Sequence, residues 1–350
     1  MTAPLLEVEG LRVEFPDAAV DQPVIDGLSL AINAGEAVAL VGESGSGKSM
    51  TALSLMRLLP PGAAITGGSI KLDGRSILEL PAKELDRIRG NRIAMLFQQP
   101  QAMLDPTCRV GLQVAEPLRL HRGMSRDSAA RRVIDLLRDL GISDPEARAR
   151  SYAHELSGGM AQRVMMAAAL SADPALLIAD EPTTSLDVTV QAQILRLLDQ
   201  QRRKRGLAIL LITHDLSIVA AFAERVAVMY AGRIIEEGLT SAILSHPRHP
   251  YTRGLVQCSL LKSNQDGVLF SIPGGASQAY ELRQGCRFLP RCETAAAQGI
   301  GDRCRQSEPP LRASGPGCRV RCWAEPDPTL ATAGQEPGLG RIQQYGNGRT

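Results

Sequence analysis

The chain has 350 residues, of which 44% are hydrophobic and 22% are charged, and its formal net charge is +2. This is a globular composition with room for one large α/β core and an appended module. The small net charge and the 3% of aromatic residues argue against nucleic-acid binding through bulk charge or base stacking. No apolar run approaches the roughly 20 residues that a membrane-spanning helix requires.

The N-terminus lacks the basic and then apolar pattern of a signal peptide. We therefore expect the protein to stay in the cytosol unless a partner holds it at a membrane. Seven cysteines in a cytosolic chain point to metal or redox chemistry before disulfides.

The first strong signal is a complete phosphate-binding loop, G-E-S-G-S-G-K-S, at residues 42–49. It follows an apolar run at 37–41 that predicts a buried strand, and a helical pattern begins near Met50. In this order the loop N–H groups and the helix N-terminus can surround a phosphate. The sequence therefore predicts a nucleoside triphosphate site, in which Lys48 neutralises the β- and γ-phosphates and the Ser49 hydroxyl joins the Mg²⁺ shell. The other predicted binding residues of the loop are Gly42, Ser44, Gly45, Ser46 and Gly47.

Strands and helices alternate through the rest of the first two thirds of the chain. The patterns predict strands at 11–15, 28–32, 69–74, 92–97, 176–179 and 208–212, and helices over 106–155, after Ser157 and at 190–201. Such alternation predicts a parallel sheet covered on both faces. A break is expected near Gly238, beyond which Pro and Gly are frequent and cysteines cluster, and residues 326–350 are expected to form a disordered tail.

The apolar run at 176–179 ends in two carboxylates, Asp180 and Glu181. A buried strand can deliver Asp180 at its carboxyl end beside the phosphate loop, where it can hold Mg²⁺ through water. Glu181 is then placed to polarise the attacking water. An ordinary strand end with a solvated acidic pair is the alternative, and the presence of the phosphate loop makes it the weaker one.

Ser157, Gly158 and Gly159 predict a helix start with Ser157 as the N-cap, which is also an anion site. A phosphate loop, a Ser-Gly-Gly helix start and an Asp-Glu strand end, in this order, resemble the ATP-binding-cassette (ABC) ATPases. Further elements fall where that family has them: Gln98 after the strand 93–97, Asp187 after Glu181, and His214 at the end of a strand.

The resemblance covers roughly residues 5–240 and implies an α/β fold. Its parts are a P-loop NTPase core, with a parallel sheet and an antiparallel β subdomain, an α-helical subdomain and a small C-terminal extension. We therefore expect a nucleotide-binding core in two parts, 1–105 and 157–238, interrupted by a helical subdomain at 106–156. A C-terminal domain at 239–325 and the tail at 326–350 complete the predicted organisation.

The resemblance also implies a role for each matching residue. Phe15 would stack on adenine, and Gln98 would contact Mg²⁺ or the attacking water and link the site to a transport partner. Ser157, Gly158 and Gly159 would contact the γ-phosphate held by the opposite subunit. Asp187 would communicate across the dimer, and His214 would grip the γ-phosphate.

Residues 97–106, 180–195 and 249–255 are similar to segments of the oligopeptide, dipeptide and nickel importer group. This likeness implies the ATPase subunit of a bacterial importer for peptides or nickel complexes, at the cytoplasmic face of the inner membrane. It implies two permease subunits, a second and different ATPase, and an extracytoplasmic solute-binding protein as partners, and no nucleic acid. The alternatives are a non-transport ABC protein, which would show fused cassettes, a long coiled coil or basic arms, and an exporter ATPase.

Four cysteines, Cys286, Cys292, Cys304 and Cys322, lie in one short segment. Soft thiolates gathered in this way suit Zn²⁺ or an iron–sulfur cluster, and the lack of a C-x-x-C pair disfavours a zinc ribbon. The likeness of residues 285–292 to dipeptide-type importer ATPases implies a [4Fe–4S] cluster, with Cys322 preferred over Cys318 as fourth ligand. Free cysteines in a loosely folded extension are the remaining alternative.

Several arginines intersperse these cysteines and predict a solvated basic face. Lipid head groups, a permease loop or the negative charge of a cluster are the alternative partners. The residues concerned are Arg283, Arg287, Arg291, Arg303, Arg305, Arg319 and Arg321.

Overall fold

A computed structural model describes residues 3–16, 22–184, 186–259, 270–275, 278, 282 and 284–325, and the predicted tail at 326–350 lies outside these residues. The strands are β1 (Leu6–Glu14), β2 (Ile25–Ile32), β3 (Ala37–Val41), β4 (Ala64–Leu72), β5 (Arg75–Ser76), β6 (Ile93–Leu96), β7 (Leu176–Asp180), β8 (Ala208–Thr213), β9 (Arg225–Tyr230), β10 (Arg233–Leu239), β11 (Arg312–Gly315) and β12 (Cys318–Val320). The helices are α1 (Lys48–Leu55), α2 (Ala82–Ile88), α3 (Pro100–Met103), α4 (Val110–Arg122), α5 (Arg126–Asp139), α6 (Pro145–Arg150), α7 (Gly158–Leu170), α8 (Val188–Arg205), α9 (Leu216–Phe222), α10 (Thr240–Ser245), α11 (Pro250–Ser259), α12 (Glu293–Ala297) and α13 (Gly301–Gln306).

The chain divides into two compact units. The first comprises Met1–Val13, Gly27–Ala37 and Ser49–Ile212, and the second comprises Glu14–Asp26, Val38–Lys48 and Thr213–Thr350. Within the described residues, no helix combines the length and the apolar character needed to cross a membrane.

The first unit contains three parallel strands in the order β6, β7, β8, and each of them is buried along its whole length. Strands buried on both faces read as continuous apolar runs, which is why the sequence pattern identified them. The register pairs Leu96 with Ala179. The residues that follow β6 and β7 therefore leave the sheet side by side. A separate four-stranded sheet, in the order β2, β1, β4, β5, belongs to the same part of the chain.

The helical segment predicted at 106–155 consists of α4, α5 and α6, which pack on one another and, through α4 and α5, on α7. The buried face of α5 carries Val133, Leu136 and Leu137, an apolar stripe at helical spacing. The N-cap Ser125 fixes the start of α5, because its hydroxyl accepts a hydrogen bond from the Ser128 N–H. Most of the segment 106–155 is therefore helical, as its pattern predicts.

In the second unit β3 pairs parallel with β9, and β9, β10, β12 and β11 continue as antiparallel neighbours. The predicted break near Gly238 falls inside β10. The register Glu236–Val320 and Glu237–Arg319 shows that the C-terminal segment adds a strand directly beside β10. The side chains of Tyr230, Tyr251 and Phe288 meet in the core of this unit, with ring centroids 4.7 to 5.6 Å apart.

Candidate functional site

The phosphate-binding loop begins where the buried strand β3 ends. A Cβ atom at Gly42 would lie 2.2 Å from the Met229 carbonyl oxygen, so no larger residue fits there. Gly47 has φ +104°, and a Cβ on it would lie 2.9 Å from the Val24 carbonyl oxygen. The two glycines are therefore required by close backbone approach and, at Gly47, by a left-handed conformation.

Polar contacts hold the loop in its curled form. The Lys48 ammonium donates to the carbonyl oxygens of Gly42 and Glu43 at 2.8 and 2.9 Å. The Ser46 N–H donates to the Glu43 carbonyl, and the Ser46 carbonyl accepts from Gly232. Ser44 and Gly45 are exposed at the tip of the loop, and Ser49 is exposed in the first turn of α1. The loop thus offers backbone N–H groups and one ammonium, as a phosphate site requires.

In the first unit the structure brings Gln98 and Glu181 together. The Gln98 amide donates to a carboxylate oxygen of Glu181 at 3.0 Å, and the Thr184 hydroxyl donates to the same oxygen at 2.8 Å. Asp180, the last residue of β7, is 6% exposed. A fixed carboxylate beside a buried one is the arrangement that metal binding and water activation use. Thr184 was not singled out from the sequence, although its position three residues after Glu181 is a local turn signal.

The backbone at Glu181 is strained. Its φ of +45° places a non-glycine residue in the left-handed region. The Glu181 N–H donates to the Ile212 carbonyl at 2.9 Å, which ties this turn to β8. Strain of this kind persists only where the surrounding structure imposes it, and it is concentrated at functional sites.

A cleft of about 530 Å³ opens at the start of α7 and is lined by Ser157, Gly158, Gly159 and Asp187. The Ser157 hydroxyl caps α7 by accepting from the Met160 N–H, and an Asp187 carboxylate oxygen caps α8 by accepting from the Val190 N–H. A Cβ at Gly159 would lie 2.9 Å from a Val190 methyl group. The four predicted residues therefore surround one cavity between two helix starts.

Two further predicted residues flank strands. Phe15 is half-buried directly after β1, and His214 is exposed directly after β8. Their proposed contacts with nucleotide stay predictions.

Glu43 of the phosphate loop was not predicted from the sequence as a site residue. Its carboxylate accepts two hydrogen bonds from the Arg291 guanidinium at 2.9 and 3.0 Å, and its N–H donates to the Tyr251 hydroxyl at 2.8 Å. Contacts that span more than 200 residues leave no local pattern in the sequence. The only signals were the position of Tyr251 in an importer-like segment and that of Arg291 beside a cysteine.

The prediction of a solvated basic face is wrong for Arg287 and Arg291, because both are buried. Arg287 pairs with Asp26 at 2.6 Å and Arg291 pairs with Glu43. Arg319 pairs with the buried Glu237. These arginines offset acidic groups of this chain, which composition alone does not reveal. Arg283 lies outside the described residues.

The four predicted cysteine ligands are buried or half-buried and free of disulfides. Burial raises the pKa of each thiol, to about 11 for Cys304, and negative charge on its neighbours Cys292 and Cys322 raises the Cys304 value further. Cys286 is affected in the same way by Cys304 and Cys322. Across the described ranges, no three or more His, Cys, Asp or Glu side chains form a group that could hold a metal ion. The described residues therefore do not support the predicted iron–sulfur cluster.

Comparisons with known proteins place these features in a family. The profile described as ABC transporter matches residues 25–184, and the profile of the oligopeptide/dipeptide transporter C-terminal region matches residues 235–298. The probable D,D-dipeptide transport ATP-binding protein DdpD of Escherichia coli (strain K12) is 46% identical over 325 residues, which are 92% of this chain and 97% of that protein. The dipeptide transport ATP-binding protein DppD of the same strain is 41% identical over 318 residues, 91% of this chain and 96% of DppD.

Solved structures are also similar to this chain. The dimeric ATP-binding cassette MJ0796 in a post-hydrolysis state bound to ADP and Pi is 28% identical, with a TM-score of 0.61 over 67% of this chain and 98% of that one. The cbiO1 subunit of the cbiONQ transporter from Clostridium perfringens is 28% identical, with a TM-score of 0.60 over 70% of this chain and 92% of cbiO1. These likenesses confirm the predicted P-loop ABC fold. The chain belongs to the ABC transporter ATP-binding proteins, in the group that carries the oligopeptide/dipeptide C-terminal region.

Proposed function

We propose that this chain hydrolyses ATP to energise a bacterial inner-membrane importer of dipeptides or oligopeptides. The observation that carries this proposal is the likeness to DdpD over 92% of the chain, which extends through the C-terminal region that ABC ATPases of other transporters need not share. The alternative is the same role in an importer of nickel or metal chelates.

In the proposed site the loop 42–49 cradles the triphosphate, with Lys48 on the β- and γ-phosphates and Phe15 stacked on adenine. The closeness of the Lys48 ammonium to the loop carbonyls supports this role, because the same ammonium can turn to a phosphate oxygen without a large movement. His214 grips the γ-phosphate.

Magnesium would be held by Ser49, Gln98 and Asp180. A hydroxyl, an amide oxygen and a carboxylate are the hard oxygen donors that Mg²⁺ prefers, and Asp180 is fixed at the end of a buried strand. When bound, the ion would neutralise charge that develops on the β- and γ-phosphates. Glu181 polarises the attacking water, and its contacts with Gln98 and Thr184 orient its carboxylate.

The cleft at α7 would receive the γ-phosphate held by a second ATPase subunit. Ser157, Gly158 and Gly159 contribute N–H groups of a helix N-terminus, which favour an anion. Asp187, at the rim of the same cleft, communicates between the two subunits. ATP then joins two ATPase faces, and its hydrolysis releases them.

The partners in this proposal are a second, homologous ATPase and two permeases, with an extracytoplasmic protein that delivers the solute. The permeases dock near Gln98 and the helical segment 106–155, at the cytoplasmic face of the inner membrane. Nucleic acid has no role.

Co-expression with the candidate permeases and sister ATPase tests this function. The chain should co-purify from membranes with all three, and dipeptides with the binding protein should stimulate ATP hydrolysis. Stimulation by nickel chelates and not by peptides would move the solute to the alternative class. Recovery of the chain without permeases would contradict a transport role.

We also propose that Cys286, Cys292, Cys304 and Cys322 hold a [4Fe–4S] cluster, with Zn²⁺ as the alternative metal. The donor set supports this proposal, because four soft thiolates from one segment of the sequence suit either group. Thiolates are the ligands of either group, so loading requires release of the thiol protons. Once bound, the group would supply a cross-link between segments of the C-terminal region.

Iron, sulfide and zinc analysis of anaerobically purified full-length protein tests the cluster. Cys304→Ser should lose the bound metal, whereas Cys318→Ser, the matched control from β12, should retain it. Wild-type protein with neither iron nor zinc would overturn the proposal. Zinc without sulfide would support the alternative.

A further inference from the structure

The glutamate inside the phosphate-binding loop is clamped by two side chains from the C-terminal third of the chain. Arg291 forms a bidentate pair with the Glu43 carboxylate, and the Tyr251 hydroxyl accepts the Glu43 N–H at 2.8 Å. One contact fixes the side chain and the other fixes the peptide group. Both act on the residue directly after Gly42.

Arg291 is held in place on several sides. Its side chain is 3% exposed, its Nε donates to the Pro273 carbonyl at 2.7 Å, and one terminal nitrogen lies 3.3 Å from the Tyr230 hydroxyl. The guanidinium also lies 5.7 Å from the Tyr230 ring centroid and 5.8 Å from that of Phe288. A buried guanidinium group with this many partners has a defined orientation.

The residues that precede Tyr251 orient its side chain toward the phosphate-binding loop. The Tyr251 N–H donates to His249 Nδ1 at 3.0 Å. The buried Glu236 carboxylate of β10 accepts the N–H groups of Arg248 and His249 at 2.6 and 2.9 Å. The start of the importer-like segment 249–255 is thus bonded to Glu236 of β10, and Tyr251 of the same segment contacts the phosphate loop.

These contacts matter for nucleotide binding because of charge. The Glu43 carbonyl accepts a hydrogen bond from Lys48, so Glu43 belongs to the structure that receives the triphosphate. An unpaired carboxylate in that position would repel an anionic ligand, and the Arg291 pair neutralises it and fixes its direction.

We propose that Arg291 and Tyr251 are positioning residues that set the affinity of the loop for ATP through Glu43. The inference rests on the proposed ATP site and adds a control point outside the nucleotide-binding motifs. The C-terminal region thereby has a direct part in ATP binding.

Equilibrium ATP binding to the full-length chain tests the clamp. Arg291→Gln should weaken ATP binding by about tenfold or more, because it leaves a partly buried carboxylate unpaired. Tyr251→Phe should weaken binding by about threefold to tenfold, because the Glu43 N–H loses its acceptor. In the assembled complex the same variants should raise KM for ATP and leave kcat unchanged.

Charge removal provides the decisive rescue. The double variant Arg291→Gln, Glu43→Gln should recover most of the affinity that Arg291→Gln loses, because it carries neither charge of the pair. Arg291→Lys, which keeps the charge and loses the fork, should fall between wild type and Arg291→Gln. A double variant as weak as Arg291→Gln would overturn the proposal, since the defect would then be structural.

Arg319→Gln is the matched control, because Arg319 pairs with the buried Glu237 in the same unit. It should bind ATP as wild type does, and thermal unfolding would verify that each variant is folded. An equal loss in Arg319→Gln and Arg291→Gln would overturn the inference, as would wild-type affinity in both Arg291→Gln and Tyr251→Phe. Failure of the wild-type protein to bind ATP would contradict the proposed function itself. Binding by the wild type with no difference among the variants would contradict only the inference about Arg291 and Tyr251.

Discussion

Gln98 donates a hydrogen bond to Glu181, 83 residues further along the chain, at 3.0 Å. The pairing follows from the parallel register of β6 and β7, which ends both strands at the same edge. The contact gives the proposed water-activating carboxylate a defined orientation and links it to the loop between β6 and α3.

The first prediction concerns this contact. Gln98→Ala should reduce ATP hydrolysis about tenfold, because the Glu181 carboxylate loses the hydrogen bond from Gln98 and keeps the one from Thr184. Gln98→Glu should reduce it further, because it places a second carboxylate beside the first. Steady-state ATPase assays of the assembled complex measure both, with ATP binding as the control. Equal activity of the alanine and glutamate variants would contradict an electrostatic role.

A second prediction separates the two roles of Asp187. Asp187→Ala should lower the free energy of unfolding by about 1 kcal/mol, because α8 loses its N-cap, whereas Asp187→Ser should retain the cap. Chemical denaturation measures this difference. If Asp187 also communicates between subunits, both variants should slow hydrolysis in the complex. Wild-type activity of Asp187→Ser would restrict the residue to capping.

The third prediction concerns pH. Burial lowers the pKa of His249 from 6.5 to about 3, with Arg253 and Arg321 contributing. The unfolded chain therefore binds a proton that the folded chain does not, so stability is full above pH 6.5 and falls as the pH drops below it. At about pH 5 this group alone should cost about 2 kcal/mol.

Denaturation at a series of pH values compares wild type with His249→Asn, whose amide oxygen can still accept the Tyr251 N–H. The variant should show a shallower loss of stability on acidification. The same slope in both proteins would show that His249 is not the group responsible.

Local patterns predicted much of the fold and of the nucleotide site. The strands β3, β7 and β8 are almost continuous apolar runs, and the phosphate loop needs glycine where its backbone approaches β9 at Gly42 and Val24 at Gly47. Both features leave signals within a few residues. The cap at Ser157 is likewise a local feature.

Features set by distant contacts were not predictable. The left-handed backbone at Glu181 accompanies a hydrogen bond to Ile212, and the Glu43 carboxylate is paired with Arg291 from the C-terminal third of the chain. The sequence predicted that the C-terminal arginines are solvated, but Arg287 and Arg291 are buried. They pair with Asp26 and Glu43, which lie far away in the sequence. A single sequence does not record such pairings.

In the proposed function, ATP hydrolysis at Glu181 drives solute import. Peptide uptake into vesicles that contain the chain, its sister ATPase and the permeases tests this coupling, with Glu181→Gln compared to Glu36→Gln. Glu36 is a buried carboxylate that accepts the Asn33 N–H in the first unit, so it controls for loss of a folded carboxylate. Glu181→Gln should bind ATP normally, hydrolyse it at least about a hundredfold more slowly and abolish uptake, while Glu36→Gln transports peptide. Wild-type uptake by Glu181→Gln, or ATP hydrolysis by the wild-type complex without movement of peptide, would contradict the account.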